Sequence, residues 1–229
     1  MNKSRKYNVA IFDLDDTLVH SDFMNIKRFE EFFKKYNIKL KDVNMVKKQL
    51  YSFLMTFEDT FQEQLIVKNQ VVDYFANQCS FISKYFLNKT EVFEDIMKSA
   101  IDISSMIKDA DNVLDYLKQE NYKLILLTNW FYDIQYKKLK KAGLDEYFDN
   151  VYGIDDSYLK PNIKAYKPII NEYNPNECIM IGDSYKCDVL GAKNTNMGSI
   201  LINKKNDNEN ILKQADYVVK DLKDIKNIL

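Results

Sequence analysis

The sequence predicts an α/β protein: a parallel sheet covered by helices on both faces, with a helical bundle inserted after the first strand. Two observations predict this class. All 5 glycines and all 3 prolines of the 229 residues lie at or beyond Gly143, so the long stretch before it lacks helix breakers and should be mainly helical. Beyond about residue 108, apolar runs alternate with amphipathic segments, which is typical of the strand–helix units of a parallel sheet.

The first strand is predicted at residues 7–12, where the chain is apolar and partly β-branched. Four amphipathic helices should follow, since apolar residues recur there at helical spacing. Their stripes are Phe23, Ile26, Phe29 and Phe33; Val43, Val46, Leu50, Phe53 and Phe57; Phe61, Leu65, Val72 and Phe75; and Val92, Ile96, Ala100, Ile103 and Ile107. We expect them to form a small bundle with its own core, at residues 19–107, inserted into an α/β core at residues 1–18 and 108–229.

The remaining elements of the core alternate along the chain. Strands are predicted at residues 123–128, 151–154, 178–181, 199–202 and 217–219. Helices are predicted at residues 113–117, 131–142, 161–173 and 185–194. Gly143 should close the second of these helices, and Pro161 should open the third. Ligands bind such sheets at the carboxyl ends of the strands.

Charge and cysteine content narrow the partners. Lys and Arg number 33 against 34 Asp and Glu, so no global field attracts nucleic acid. The 3 cysteines fit no zinc spacing and leave one unpaired, which indicates reduced thiols in a cytoplasmic protein. We expect neither a membrane-spanning nor a secretory segment. The expected partner is a small molecule, and the sequence leaves the oligomeric state open.

Acidic residues crowd the end of the first strand, at Asp13, Asp15 and Asp16. A strand interior cannot hold such a cluster without a heavy desolvation cost, so it should lie in a crevice at the strand's carboxyl end. On an extended backbone Asp13 and Asp15 point the same way, which suits a divalent cation and a shared reaction centre. A polar loop in which Asp16 or Thr17 caps the next helix is the alternative, but it does not account for Asp13 and Asp15.

Two further strand ends carry residues that could bind phosphate. Thr128 and Asn129 follow the second core strand, where a hydroxyl and backbone N–H groups can hold phosphate oxygens. The alternative is a helix N-cap. Lys160 follows the third core strand; it is either a solvated surface residue or a charge neutraliser for a dianionic substrate.

The fourth core strand leads into Gly182 and Asp183, with Asp188 5 residues after Asp183. Glycine lets the backbone approach closely, and Asp183 would add an anionic ligand for a hard cation. Either aspartate alone could belong to an ordinary turn or to a first helical turn. Four such strand ends in succession are much harder to attribute to chance.

Together these positions resemble, in order and spacing, the motifs of the haloacid dehalogenase (HAD) superfamily over residues 6–203. The resemblance is to the subclass with a helical (C1-type) cap after the first motif, and it implies a Rossmann-like core and Mg²⁺ as cofactor. The implied roles are nucleophile for Asp13; general acid/base for Asp15; phosphate binding for Thr128 and Asn129; stabilisation of nucleophile and phosphate by Lys160; metal binding by Asp13, Asp183 and the Asp15 carbonyl; and a supporting role for Asp188. Family members that dehalogenate lack an aspartate equivalent to Asp15, so its presence favours phosphate chemistry.

The expected function is that of a Mg²⁺-dependent phosphatase that hydrolyses a small phosphomonoester through an aspartyl-phosphate. Alternatives are a phosphomutase, for which His20 is the sole imidazole, and a non-catalytic phosphate-binding module. Residues 128–162 also resemble the corresponding part of HAD pyrimidine nucleotidases, which have glycine where this chain has Trp130. Nucleoside monophosphates or sugar phosphates are therefore the expected substrates. Trp130 either contacts the substrate or packs between core and cap.

Overall fold

The computed structural model describes residues 6–21, 26–203 and 208–229, without the side chains of residues 26–29 and Ile103. The strands are β1 (Val9–Phe12), β2 (Val19–His20), β3 (Ser105–Met106), β4 (Lys123–Leu127), β5 (Asn150–Tyr152), β6 (Cys178–Gly182), β7 (Gly198–Ile202) and β8 (Tyr217–Val219). The α-helices are α1 (Ile26–Lys35), α2 (Val43–Phe61), α3 (Lys68–Gln78), α4 (Phe81–Lys84), α5 (Lys89–Ile103), α6 (Ala110–Gln119), α7 (Tyr132–Lys141), α8 (Lys167–Ile170), α9 (Leu190–Asn194) and α10 (Glu209–Leu212).

A 6-stranded parallel sheet runs in the order β5-β4-β1-β6-β7-β8. Its central strand β1 is buried on both faces: Ala10 and Phe12 join one apolar cluster and Val9 and Ile11 another. Helix α6 covers the first face, and α9 with the segment around Tyr166 covers the second. The predicted α/β class is therefore confirmed.

The carboxyl ends of three neighbouring strands meet at one edge of this sheet. Beyond β1, the Asp13 N–H donates to the Ile181 carbonyl of β6 at 2.9 Å. Beyond β4, the Thr128 N–H donates to the Tyr152 carbonyl of β5 at 3.1 Å. The ladder therefore continues for one residue past β1 and β4, and it brings the polar residues that follow these strands to the same edge.

Four longer helices, α1, α2, α3 and α5, follow the first strand, as predicted. The second predicted stripe is buried except for half-buried Val43, and the described part of the fourth, Val92, Ile96 and Ala100, is buried as well. The pair β2 and β3, joined antiparallel at the base of the insert, and the short α4 were not predicted. Two-residue strands and a one-turn helix are too short to show a hydrophobic period.

The first and third stripes were partly wrong. Phe32 of α1 and Tyr36, which directly follows this helix, are buried, with ring centroids 4.8 Å apart, whereas Phe33 is half-buried at the margin of the cluster. Leu65 is 46% exposed, because α2 ends at Phe61 and leaves it in the turn before α3. Phe23 and the side chains of Ile26, Phe29 and Ile103 lie outside the described residues. Ile107 lies beyond β3, and its N–H donates to the Leu18 carbonyl at 2.8 Å.

The helix predicted at residues 161–173 was also wrong. The Asn162 side chain accepts the Lys164 N–H at 3.0 Å, and a short 3-10 helix, Ile163–Tyr166, starts only after it and leads into α8. Asparagine is a strong N-cap and sets the start of this helix two residues later than the proline suggested. The helix predicted at residues 185–194 is present as a π-helical turn, Tyr185–Val189, continued by α9.

The insert and the sheet share one apolar cluster. It contains the buried residues of α2, α3 and α5 and, from the rest of the chain, Phe131, Ile154 and Leu159. The contact between the insert and the α/β part is therefore itself hydrophobic core. Among the described residues, no helix is both long enough and apolar enough to cross a bilayer.

Candidate active site

The carboxyl edge of the sheet borders a cavity of about 500 Å³ that the insert closes from the other side. Every residue predicted to act in a phosphatase site lines this cavity. They are Asp13, Asp15, Thr128, Asn129, Lys160, Asp183 and Asp188. The structure therefore brings together all the predicted site residues, although residues 13 and 188 lie far apart in the chain.

Lys160 is buried, 2% exposed, between two carboxylates. Its Nζ donates to Asp13 Oδ1 at 2.8 Å and to Asp188 Oδ1 at 2.7 Å. Burial disfavours its charged form, but Asp13 and Asp188 outweigh burial and raise the pKa of Lys160 well above its ordinary value. The ammonium is therefore charged at neutral pH, and the solvated alternative for this lysine is excluded.

At Asp13, by contrast, burial and neighbouring negative charge outweigh the effect of Lys160. Burial raises the pKa of Asp13 to about 8, and the nearby Asp188 and Asp183 carboxylates add to the shift while Lys160 opposes it. One oxygen of each of the three carboxylates of Asp13, Asp183 and Asp188 lies within 4.8 Å of the others. The cluster thus concentrates more negative charge than Lys160 alone offsets. A set of carboxylate oxygens with this surplus fits a hard divalent cation such as Mg²⁺.

Asp188 is tied to the protein through both of its oxygens. Oδ1 accepts from Lys160, and Oδ2 accepts the Ser184 N–H at 3.0 Å. A Cβ at Gly182 would lie 2.0 Å from Asp188 Oδ2, so only glycine leaves room for this carboxylate. The close approach that the sequence suggested at Gly182 is therefore an approach of the Asp188 side chain to the strand end.

Asp15 is held by two side chains that the sequence analysis missed. Lys138 Nζ donates to its Oδ1 at 2.7 Å, and Gln135 Nε2 donates to its Oδ2 at 2.6 Å. Gln135 Nε2 also donates to Thr128 Oγ1 at 2.6 Å. Gln135 is 0% and Lys138 5% exposed, and both share a face of α7 with Leu139. Two polar residues on the buried stripe of a helix were the available signal.

Asn129 links three parts of the site through its side chain. Its Oδ1 accepts the Lys160 N–H at 2.7 Å, and its Nδ2 donates to the Lys160 carbonyl at 3.1 Å. The same Nδ2 donates to Glu58 Oε1 of α2 at 3.0 Å, and Cys187 Sγ–H donates to Glu58 Oε2 at 3.3 Å. The Asn129 amide thus positions the turn that carries Lys160. Glu58 and Cys187 had not been predicted at the site.

Trp130 packs between the sheet and the insert. Its Nε1–H donates to Met97 Sδ at 3.1 Å, and its ring lies 4.8 Å from Phe57, centroid to centroid, in an edge-to-face contact. These contacts agree with the alternative in which Trp130 packs between core and cap. Trp130 also lines the cavity. His20 is exposed in β2, opposite Ser105 of β3.

Comparisons with known proteins agree with this geometry. A family model described as haloacid dehalogenase-like hydrolase matches residues 7–196. A glyceraldehyde 3-phosphate phosphatase from Pyrococcus furiosus is 25% identical over 98% of this chain and 94% of its own length. The pyrophosphatase PpaX from Halalkalibacterium halodurans is 24% identical over 97% of this chain and 96% of its own.

Solved structures show the same fold. The HAD-hydrolase YfnB from Bacillus subtilis, determined bound to magnesium, matches with a TM-score of 0.76 at 20% identity, over 98% of this chain and 99% of that chain. Since the family model covers most of the chain and the predicted motifs meet in one cavity, the predicted family and enzyme class are confirmed. The chain belongs to the haloacid dehalogenase-like hydrolases.

Proposed function

We propose that this HAD-like phosphoric monoester hydrolase is a Mg²⁺-dependent phosphatase that acts on a small phosphomonoester through an aspartyl-phosphate on Asp13. The observation that carries the proposal is the pairing of Asp13 with the buried Lys160, in one cavity with Asp15. Residues 1–18 and 108–229 form the proposed catalytic core, and residues 19–107 form the cap. The phosphatase names of the two relatives support a small phosphorylated substrate.

Asp13 is the proposed nucleophile. Its carboxylate attacks phosphorus, and the alkoxide of the substrate leaves, so that hydrolysis is divided into formation and breakdown of an acyl phosphate. Lys160 is charged and fixed by Asp188 on its other side, so it offsets the negative charge that builds up as carboxylate and phosphate approach each other. Without Lys160 the two anions would repel each other across a buried site.

Thr128 is the proposed phosphate ligand. Its Oγ1 already accepts a hydrogen bond from Gln135, so its own O–H proton can donate to a phosphate oxygen. The side chain of Asn129 is engaged by Lys160 and Glu58, so the contribution of this residue to phosphate binding is its backbone N–H.

Asp15 is the proposed general acid and base. It gives a proton to the leaving oxygen in the first half of the reaction and takes one from water in the second. Lys138 and Gln135 contact both oxygens of its carboxyl group and fix its orientation beside the nucleophile.

Mg²⁺ would be held by Asp13, Asp183 and the Asp15 carbonyl, with Asp188 supporting. The bound ion supplies Lewis-acid stabilisation of phosphate charge. The surplus of carboxylates around Asp13 supports this assignment.

A nucleoside monophosphate or a sugar phosphate is the proposed substrate, and the cavity of about 500 Å³ has room for either. We place the enzyme in the cytoplasm, and the three buried free thiols, Cys79, Cys178 and Cys187, support a reducing compartment.

The test measures phosphate release from ribonucleoside monophosphates and hexose phosphates with Mg²⁺. Asp13→Asn should abolish turnover with the fold intact, because it removes the nucleophile and keeps the volume. Asp16→Asn is the matched control and should keep activity, since asparagine tolerates the positive φ of 58° at this position. Substantial turnover by Asp13→Asn would refute the covalent mechanism. An isomerised sugar phosphate in place of free phosphate, detected by NMR, would favour the mutase.

A further inference from the structure

Helix α2 has two apolar stripes, and the core of the insert uses only one of them. The buried stripe is Val46, Leu50, Phe53, Phe57 and Phe61. A second stripe, Tyr51, Leu54, Met55 and Glu58, lies at i, i+3, i+4 and i+7 and lines the cavity above the phosphate site. Tyr51 is 47% and Met55 58% exposed, unusually high for large apolar side chains. We call these four residues the cavity stripe.

The cavity stripe ends in a carboxylate that the core holds in place. Asn129 donates to one oxygen of Glu58 and Cys187 to the other. Glu58 is therefore a fixed negative charge next to the residue that follows Thr128, where the part of the substrate beyond the phosphate must pass.

Positive charge around the cavity is already engaged. Among the described residues that line it, the cationic ones are Lys138 and Lys160. Lys138 pairs with Asp15, and Lys160 pairs with Asp13 and Asp188. A second anionic group on the substrate would therefore meet Glu58 without an offsetting cation from these residues, whereas a hydroxyl could donate to either oxygen of Glu58.

We propose that the cavity stripe is the leaving-group site and that Glu58 selects phosphomonoesters whose leaving group is uncharged and carries a hydroxyl near the phosphate. Tyr51 and Met55 contact the apolar part of a longer leaving group. This proposal rests on the proposed phosphatase function and names its substrate class. It separates this chain from the relative whose name is pyrophosphatase, because inorganic pyrophosphate has an anionic leaving group.

The decisive comparison uses two esters of the same carbon skeleton, glycerol 3-phosphate and 3-phosphoglycerate, which differ in one carboxylate. Wild type should prefer glycerol 3-phosphate by at least about tenfold in kcat/KM, because like charges a few ångströms apart in a partly dry site repel strongly. Inorganic pyrophosphate should also be a poor substrate. Glu58→Gln should narrow the preference by about tenfold, mainly through faster turnover of 3-phosphoglycerate.

Glu94→Gln is the matched control, since its carboxylate is 60% exposed and pairs with Lys68 outside the cavity. It should leave the preference unchanged. Met55→Ser should raise KM for adenosine monophosphate and leave KM for glycerol 3-phosphate as it was. Circular dichroism should show the wild-type fold in all three variants.

Any one of four results would overturn the proposal. An equal preference in wild type and Glu58→Gln, or a wild-type preference for pyrophosphate, would refute the role of Glu58 while phosphatase activity stands. An unchanged KM for adenosine monophosphate in Met55→Ser would refute the contact with Met55. Failure of wild type to hydrolyse any of these esters with Mg²⁺ would refute the phosphatase function itself, and this proposal with it.

Discussion

Adding one methyl group at Gly182 should displace the Asp188 carboxylate and break its hydrogen bond from Lys160. A Cβ at residue 182 would lie 2.0 Å from Asp188 Oδ2 and 2.3 Å from Asp188 Cγ, far inside van der Waals contact. The strand cannot easily yield, because β6 is hydrogen-bonded to β1 on one side and to β7 on the other. The carboxylate must therefore move, although it is 1% exposed.

The cost follows from the contacts that Asp188 makes. Moving its carboxylate breaks the 2.7 Å bond from Lys160 and the 3.0 Å bond from the Ser184 N–H. Breaking a buried ion pair while one charge stays buried costs about 3–5 kcal/mol. Gly182→Ala should therefore lower the free energy of unfolding by about 3–5 kcal/mol, a large part of the roughly 5–15 kcal/mol typical of a folded domain.

A double-mutant cycle measured by urea unfolding tests this reasoning. In an Asp188→Gly background the clash with the new Cβ is gone, so adding Gly182→Ala should lower the free energy of unfolding little more than Asp188→Gly alone. The two changes should be coupled by about 3 kcal/mol, well above the error for independent sites. Additive effects would show that the methyl group is accommodated elsewhere and that Asp188 does not dictate the glycine.

The remaining predictions concern catalysis. Asp15→Asn should slow alkyl esters far more than aryl esters, whose leaving groups need little protonation; equal losses would exclude the acid role. Lys138→Met should likewise slow alkyl esters more than aryl esters, with kcat lower by about tenfold or more and KM little changed. The reason is that it removes a charge-assisted hydrogen bond to Asp15 of about 1.5–3 kcal/mol. A change confined to KM would contradict this role of Lys138. Chelation of divalent cations should abolish activity, and added Mg²⁺ should restore it. Full activity with Ca²⁺, a larger ion with looser coordination, would argue against a Mg²⁺-type site. Trp130→Gly should leave the relative rates on nucleoside monophosphates and sugar phosphates unchanged, because the ring packs on Phe57 and Met97; a shift between the two classes in steady-state assays would show that it contacts the substrate.

The common location of the residues that follow the strands was predictable, because every parallel sheet brings the carboxyl ends of its strands to one edge. Once residues 7–12, 123–128 and 178–181 were identified as parallel strands, the residues that follow them had to share an edge. The structure adds what no local pattern contains. Lys160 reaches Asp13 across 147 positions of sequence, so its burial depends on the completed fold. A lysine in a turn gives no local sign of that.

Errors in the helical insert have a different cause. Hydrophobic spacing predicted α2 well, because its buried stripe runs for 16 residues from Val46 to Phe61. In α1, two adjacent phenylalanines, Phe32 and Phe33, left the facing direction ambiguous, and packing on Tyr36 and Phe81 decided it. The cavity stripe was missed because its polar end, Glu58, interrupts an apolar pattern, so it was not distinguished from the core stripe beside it.

The two residues that follow Thr128 connect the phosphate site to the insert. Thr128 contacts Gln135, Asn129 contacts Glu58 and the Lys160 backbone, and Trp130 contacts Met97. A displacement of the insert away from the sheet would have to break the Asn129–Glu58 and Trp130–Met97 contacts together.

Those two contacts lie within two residues of Thr128, and the Asn129 side chain also accepts the backbone N–H of Lys160. Separation of the insert from the sheet therefore removes the Glu58 carboxylate from Asn129, while the hydrogen bonds between Asn129 and the Lys160 backbone lie within the α/β part. Recognition of the leaving group and alignment of the charged groups around Asp13 consequently depend on one small set of hydrogen bonds, and Asn129 is the residue common to both.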